Sequence, residues 1–149
     1  MKKDKQRAFE KAHAEYEEWE DSLEGVAYWL GDLPVPEAAE SVIIKTVHKL
    51  PGQIREFVYY ECRFITLDAA GGRACCLRKA ERPWLLALGQ DPPDENTIAH
   101  EIACAWLGRQ SGQGLGEHRE TRPEEEAACD LIRQWGFRGF GAKRGWQKQ

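Results

Sequence analysis

Between Ile98 and Gly108 the chain reads IAHEIACAWLG, a run of apolar residues broken in its middle by His100 and Glu101. A helix that is apolar on every side belongs inside a protein. Buried charge without a partner is expensive, so these two groups need company. Cys104 follows His100 by one turn. Residues four apart on a helix share a face, with Cβ atoms roughly 5–6 Å apart, which suits two ligands of a single metal ion. Glu101 points beside that face, where a base for a metal-bound water would stand.

The segment TIAHEIACAWLG resembles the active-site helix of zincin metallopeptidases, whose signature is HExxH. Further on, EEEAACDLIRQWGF resembles the later helix of small bacterial zincin-like domains of the ImmA/IrrE type, which carries a Glu-x-x-Ala pattern. The resemblance spans roughly residues 40–137, although two short motifs carry it. It implies a small zinc-dependent metallopeptidase that hydrolyses peptide bonds in a peptide or protein substrate. In that family two helix histidines hold zinc, the glutamate between them activates water, and a carboxylate from the later helix is the third ligand. Carried onto this chain, zinc falls to His100, Cys104 and Glu125, with Glu101 as the base. Ala128 then stands at the alanine of the pattern, and Glu124 and Glu126 are rivals to Glu125.

The departure from the pattern is Cys104, which makes the signature HExxC. Three readings follow. In the first, Cys104 binds zinc as a thiolate. Two neutral histidines and one carboxylate leave zinc with net charge +1, whereas His100, Cys104 and Glu125 bring it to 0, so water and carbonyl are polarised less. In the second, Cys129, four residues after Glu125, becomes a fourth ligand and closes the coordination sphere into a structural site. In the third the site binds no metal and the chain is a catalytically inactive relative serving as a binding or regulatory module, with His100 and Glu101 as hydrogen-bonded core residues and Cys104 as a small buried hydrophobe.

Several other groups carry bland and sharp readings side by side. His118, in the loop before the last helix, is a rival third ligand or a solvated side chain. His13 and His48 read as structural. Cys75 and Cys76 are adjacent, and neighbouring strand residues point to opposite faces, so both do not serve one site. The run WLLAL (84–88) is strand or helix by periodicity alone; as a strand it is either a core strand or an edge strand that receives an extended peptide by strand addition.

Positioning these residues requires a frame. Residues 5–30 read as one long amphipathic helix, with Phe9, Ala12, Tyr16, Trp19, Leu23, Val26 and Leu30 at spacings of three and four. DLPVP (32–36) ends it. Residues 41–48 and 56–67 are rich in β-branched and aromatic residues and read as strands, with Pro51-Gly52 turning between them. Gly71-Gly72 suggests a hairpin between ITLD and ACCLRK. Residues 95–108 read as a helix closed by Gly108, and 90–93 and 109–120 as loops. Thr121 and Glu124 have capping-box spacing, with Pro123 in the first turn, for a helix running to about Trp135. The expected fold is a single α+β domain over 1–149, in which a small, mainly antiparallel sheet packs against helices. A zincin-like active-site helix is followed by a ligand-bearing C-terminal helix.

Composition narrows the field further. A chain of 149 residues, 42% of them hydrophobic, is one domain's worth and too short for separate cofactor and substrate lobes. A net charge of −4 argues against a globally basic nucleic-acid binder. The segment 138–149 nevertheless lacks acids, and Arg133, Arg138, Lys143, Arg144 and Lys148 alternate with Phe137, Phe140 and Trp146. Cations beside stacking rings are the chemistry of single-stranded nucleic-acid contact, a weaker alternative function. Nothing approaches the ~20 apolar residues of a membrane span, and the start has no secretory leader, so the cytoplasm is expected. Five cysteines without a CxxC pair argue against a disulfide framework.

Overall fold

Pro36 and Pro51 each stand directly ahead of a helix, with φ of −59° and −56°. Proline suits a helix start because the first N–H groups have no intrahelical acceptor to lose. The computed structural model describes residues 2–66, 74–77, 83–89, 93–111 and 122–139. Its elements in chain order are α1 (Lys2–Glu20), α2 (Leu23–Leu30), α3 (Glu37–His48), α4 (Gly52–Glu61), β1 (Cys62–Thr66), β2 (Ala74–Leu77), β3 (Trp84–Leu88), α5 (Glu95–Ser111) and α6 (Arg122–Gln134). The class is α+β and mostly helical.

The first half differs from its expected form in two ways. Residues 41–48 belong to α3, and 56–61 belong to α4; strand begins only at Cys62. Ala39, Ile43, Val47 and Leu50 fall on one helical face, as do Ile54, Phe57 and Val58, and all seven are buried. Burying that stripe outweighs the modest strand preference of the same β-branched residues. The single helix expected over 5–30 breaks at Asp21 and Ser22. Ser22 caps α2, its Oγ accepting from the Gly25 N–H at 3.1 Å. A Cβ at Gly25 would overlap the Trp19 and Glu20 carbonyls, so only glycine lets the two helices meet this closely. Asp21 in the break pairs with Arg55 of α4 at 3.0 Å.

The described strands lie in the order β1-β3-β2. β1 runs parallel to β3, with Cys62 opposite Trp84 and Thr66 opposite Leu88. β2 runs antiparallel to β3, with Ala74 opposite Leu88 and Leu77 opposite Leu85. Among the described strands the sheet is therefore mixed, with one parallel and one antiparallel pairing in place of the mainly antiparallel sheet expected. β1 and β2 are not neighbours, so the hairpin expected between them does not form; Gly71 and Gly72 lie outside the described residues. WLLAL is the central strand and not an edge, with Trp84, Leu86, Ala87 and Leu88 all buried.

α5 runs through the middle of the molecule, packed by α3, α6 and β2. Gly108 does not end it, because the helix continues to Ser111. Thr121, the expected cap of α6, lies outside the described residues, as do His118 and positions 140–149 of the tail. α6 stops one residue short of Trp135. Gly136, at φ 97°, turns the chain in a Schellman arrangement: its N–H donates to the Arg133 carbonyl at 3.0 Å, and the Phe137 N–H donates to the Ile132 carbonyl at 2.9 Å. Phe137 is thereby folded back into the core.

Candidate functional site

Asp94 starts α5, its Oδ1 accepting from the Thr97 N–H at 2.8 Å. Both ends of the helix are tied to other elements. Near its start Lys49 pairs with Glu95 at 2.7 Å, and the Arg138 N–H donates to Asn96 Oδ1 at 3.1 Å. At its far end Arg109 pairs with Glu61 at 2.9 Å and lies over the rings of Phe57 and Trp106. These contacts link α5 to the residue after α3, to the end of α4 and to the segment after α6.

The middle of α5 is sealed. His100 is 1% exposed, Cys104 4% and Glu101 7%. Across the interface α6 buries Ala128, Cys129 and Ile132, which recur at three and four along its inner face. Cys129 Sγ lies 3.9 Å from His100 Nδ1. Thiol and imidazole thus form a polar pair inside an apolar helix interface, and the histidine tautomer decides which of them donates. Glu125, one turn earlier on α6, is half-buried, and its Oε2 is closed to solvent, as is Oε2 of Glu101. Glu124 is half-buried and Glu126 exposed.

Of the residues singled out in the sequence, the structure brings His100 and Cys129 into contact. It places Glu101 and Cys104 on the same buried helix. Zinc requires three or four converging protein donors. Zn–S and Zn–N bonds of about 2.3 and 2.0 Å at a tetrahedral angle put sulfur and nitrogen about 3.5 Å apart, and the observed pair sits slightly wider. Among the described residues no group of three His, Cys, Asp or Glu side chains is arranged to hold a metal ion.

A reactive thiolate needs exposure, and Cys129 is 2% exposed. His13 instead faces solvent, pairing with Glu17 at 3.1 Å, and His48 is the exposed last residue of α3. Another close approach that the residue pattern did not reveal is between Gly108 and Trp84, where the Trp84 ring packs against the helix backbone.

No helix among the described residues is long and apolar enough to cross a membrane. Comparison with protein-family models, curated proteins and solved structures gave no match.

Proposed function

We propose that this chain is a zincin-related, metallopeptidase-like protein whose α5–α6 centre has become a sealed polar core, and that it acts as a binding or regulatory module for a peptide or protein partner. The contact between His100 and Cys129 carries this reading. A hydrolytic centre must admit both a water and the scissile carbonyl. At the position where the HExxH signature would put its first ligand, the imidazole is buried against a thiol of the next helix. The second ligand position holds Cys104, buried as a small hydrophobe would be. Glu101, the base of the signature, is enclosed with them.

Elemental analysis of the purified chain tests the reading, combined with a peptide-hydrolysis assay of the wild type and of His100→Ala and Glu101→Gln. The expected result is well under one equivalent of zinc and no hydrolysis that depends on Glu101. About one equivalent of zinc, absent from His100→Ala, would overturn the sealed-core reading. Hydrolysis lost in Glu101→Gln would then mark an active enzyme, and its absence a closed structural zinc site on His100, Cys104, Glu125 and Cys129.

A further inference from the structure

Four consecutive residues of β1, Cys62 to Ile65, line one cavity of about 560 Å³. Successive strand side chains point to opposite faces, so a cavity that touches four in a row lies along the strand's edge and not on one face of the sheet. β1 is an end strand, and among the described residues it pairs with β3 alone. Across the cavity stands the chain that leaves α2, with Asp32, Leu33 and Pro34. That wall is ordered by its own backbone. The Gly31 N–H closes α2 on the Ala27 and Tyr28 carbonyls, the Val35 N–H donates to the Leu33 carbonyl at 2.8 Å, and proline fixes its own φ. Trp29 and Tyr59, stacked with centroids 6.0 Å apart and planes 23° from parallel, supply an aromatic part of the lining.

Small-molecule sites hold roughly 300–1,000 Å³, with mostly apolar walls and a few polar groups that fix orientation. This cavity has that make-up. Leu30, Val58, Phe64 and Leu85 are apolar, and the only charged residues lining it are Arg63 and Asp32. Arg63 is held at the end of α4, its Nη1 donating to the Cys62 and Tyr59 carbonyls at 2.7 and 3.4 Å. Its Nε and Nη2 edge is left for another acceptor, and among the described residues neither Arg63 nor Asp32 forms an ion pair. Two opposite charges thus border one cavity without neutralising each other. A carboxylate alone would suit Arg63 and be repelled by Asp32, and an amine alone would do the reverse. A short peptide with free ends carries both charges, with an amide between them that a strand edge can hydrogen-bond.

We infer that this cavity binds a short apolar peptide with free termini, laid along the edge of β1, its carboxylate at Arg63, its ammonium at Asp32 and its side chains against the apolar walls. No residue of α5 or α6 lines the cavity, so the inference does not rest on the reading of His100 and Cys129. Isothermal titration calorimetry of the full chain with leucyl-phenylalanine is the test. Binding is expected at about 0.1–1 mM, ordinary for so small a ligand. Acetylating the peptide's amine or amidating its carboxylate should each weaken binding about 3- to 10-fold. Asp32→Asn should weaken the free dipeptide and leave the acetylated one unchanged; Arg63→Gln should weaken the free dipeptide and leave the amidated one unchanged. Both side chains are exposed, so helical circular dichroism should not change. If Arg63→Gln loosens the end of α4, Asp32→Asn alone decides. Free phenylalanine, with both charges but no amide, should bind several-fold more weakly. No binding up to about 5 mM, capped peptides that bind as well as the free one, binding indifferent to both substitutions, or free phenylalanine binding as tightly would each overturn the inference.

Discussion

A Cβ added to Gly108 would lie 2.5 Å from Cη2 of Trp84 and 3.2 Å from its Cζ2. The last turns of α5 therefore rest directly on the six-membered ring of Trp84 in the central strand, and Trp84, 1% exposed, has nowhere to retreat.

Gly108→Ala should consequently destabilise the protein. Alanine favours a helix interior by roughly 1 kcal/mol over glycine, but overpacking a buried ring costs typically 1–3 kcal/mol. The expected net effect is a lower denaturation midpoint with an unchanged slope. A stabilised variant would show that helix and strand can separate at this point without cost.

The pair formed by His100 and Cys129 makes a prediction about thiol access. Cys62, Cys104 and Cys129 are all buried, so none of the three should be alkylated in the native state, while all should react in denaturant. His100→Ala removes the ring packed on the Cys129 sulfur and should cost about 2–4 kcal/mol, the range for deleting a large buried side chain. In that variant Cys129 should become the fastest-reacting of the three. Prompt native alkylation of Cys129 in the wild type, located by peptide mapping, would contradict the sealed interface.

Tyr59 provides the pH dependence. Its burial raises the phenol above the ordinary 10.0; Arg55 pulls against that shift, and the Glu20 and Asp21 carboxylates add to it. The folded state therefore holds the proton to higher pH than the unfolded chain does. Its contribution to stability is complete below pH 10 and is lost as pH climbs through the raised value. Urea titrations should show a decline above pH 10 that is shallower in Tyr59→Phe, and phenolate absorbance should show one tyrosine ionising later than the others. Identical alkaline profiles for the two proteins would refute this.

Gly136 holds φ 97° at the end of α6, a conformation that side chains with a Cβ rarely adopt. Gly136→Ala should cost about 1 kcal/mol and loosen Phe137, seen as faster amide exchange at Phe137, whose N–H closes the turn. Because a Cβ there meets open space, the loss would reflect backbone conformation alone. Unchanged stability would mean that the turn is not held.

The second half of the fold was legible in the sequence, and the first half was read by composition where spacing should have governed. The helix around His100 and the acidic helix after it stand where expected, because each has either an apolar run or a clear three-and-four repeat; WLLAL, which periodicity leaves open between strand and helix, is a strand. Residues 41–48 and 56–61 misled: Val42, Ile43, Ile44 and Val47, then Phe57, Val58 and Tyr59, are strand-favouring types. The better signal was Ala39, Ile43, Val47 and Leu50 at helical intervals behind a proline. The break at Asp21 and Ser22 depends on a close contact at Gly25 between elements, which no local pattern encodes. At the centre, the burial of His100 followed from its apolar helix. That Cys129 meets it depended on how α6 rotates, and the burial of Ala128, Cys129 and Ile132 sets that rotation.

The parallel pairing of β1 with β3 bears on how the molecule assembles. β2 and β3 are consecutive and antiparallel, so they can zip together locally. β1 must wait for its partner across more than twenty residues of chain and bind last, against loop-closure entropy. During synthesis, Phe64 and its neighbours emerge from the ribosome well before the strand that will cover them, and the nascent chain carries an unsatisfied strand edge until residue 88 has been made.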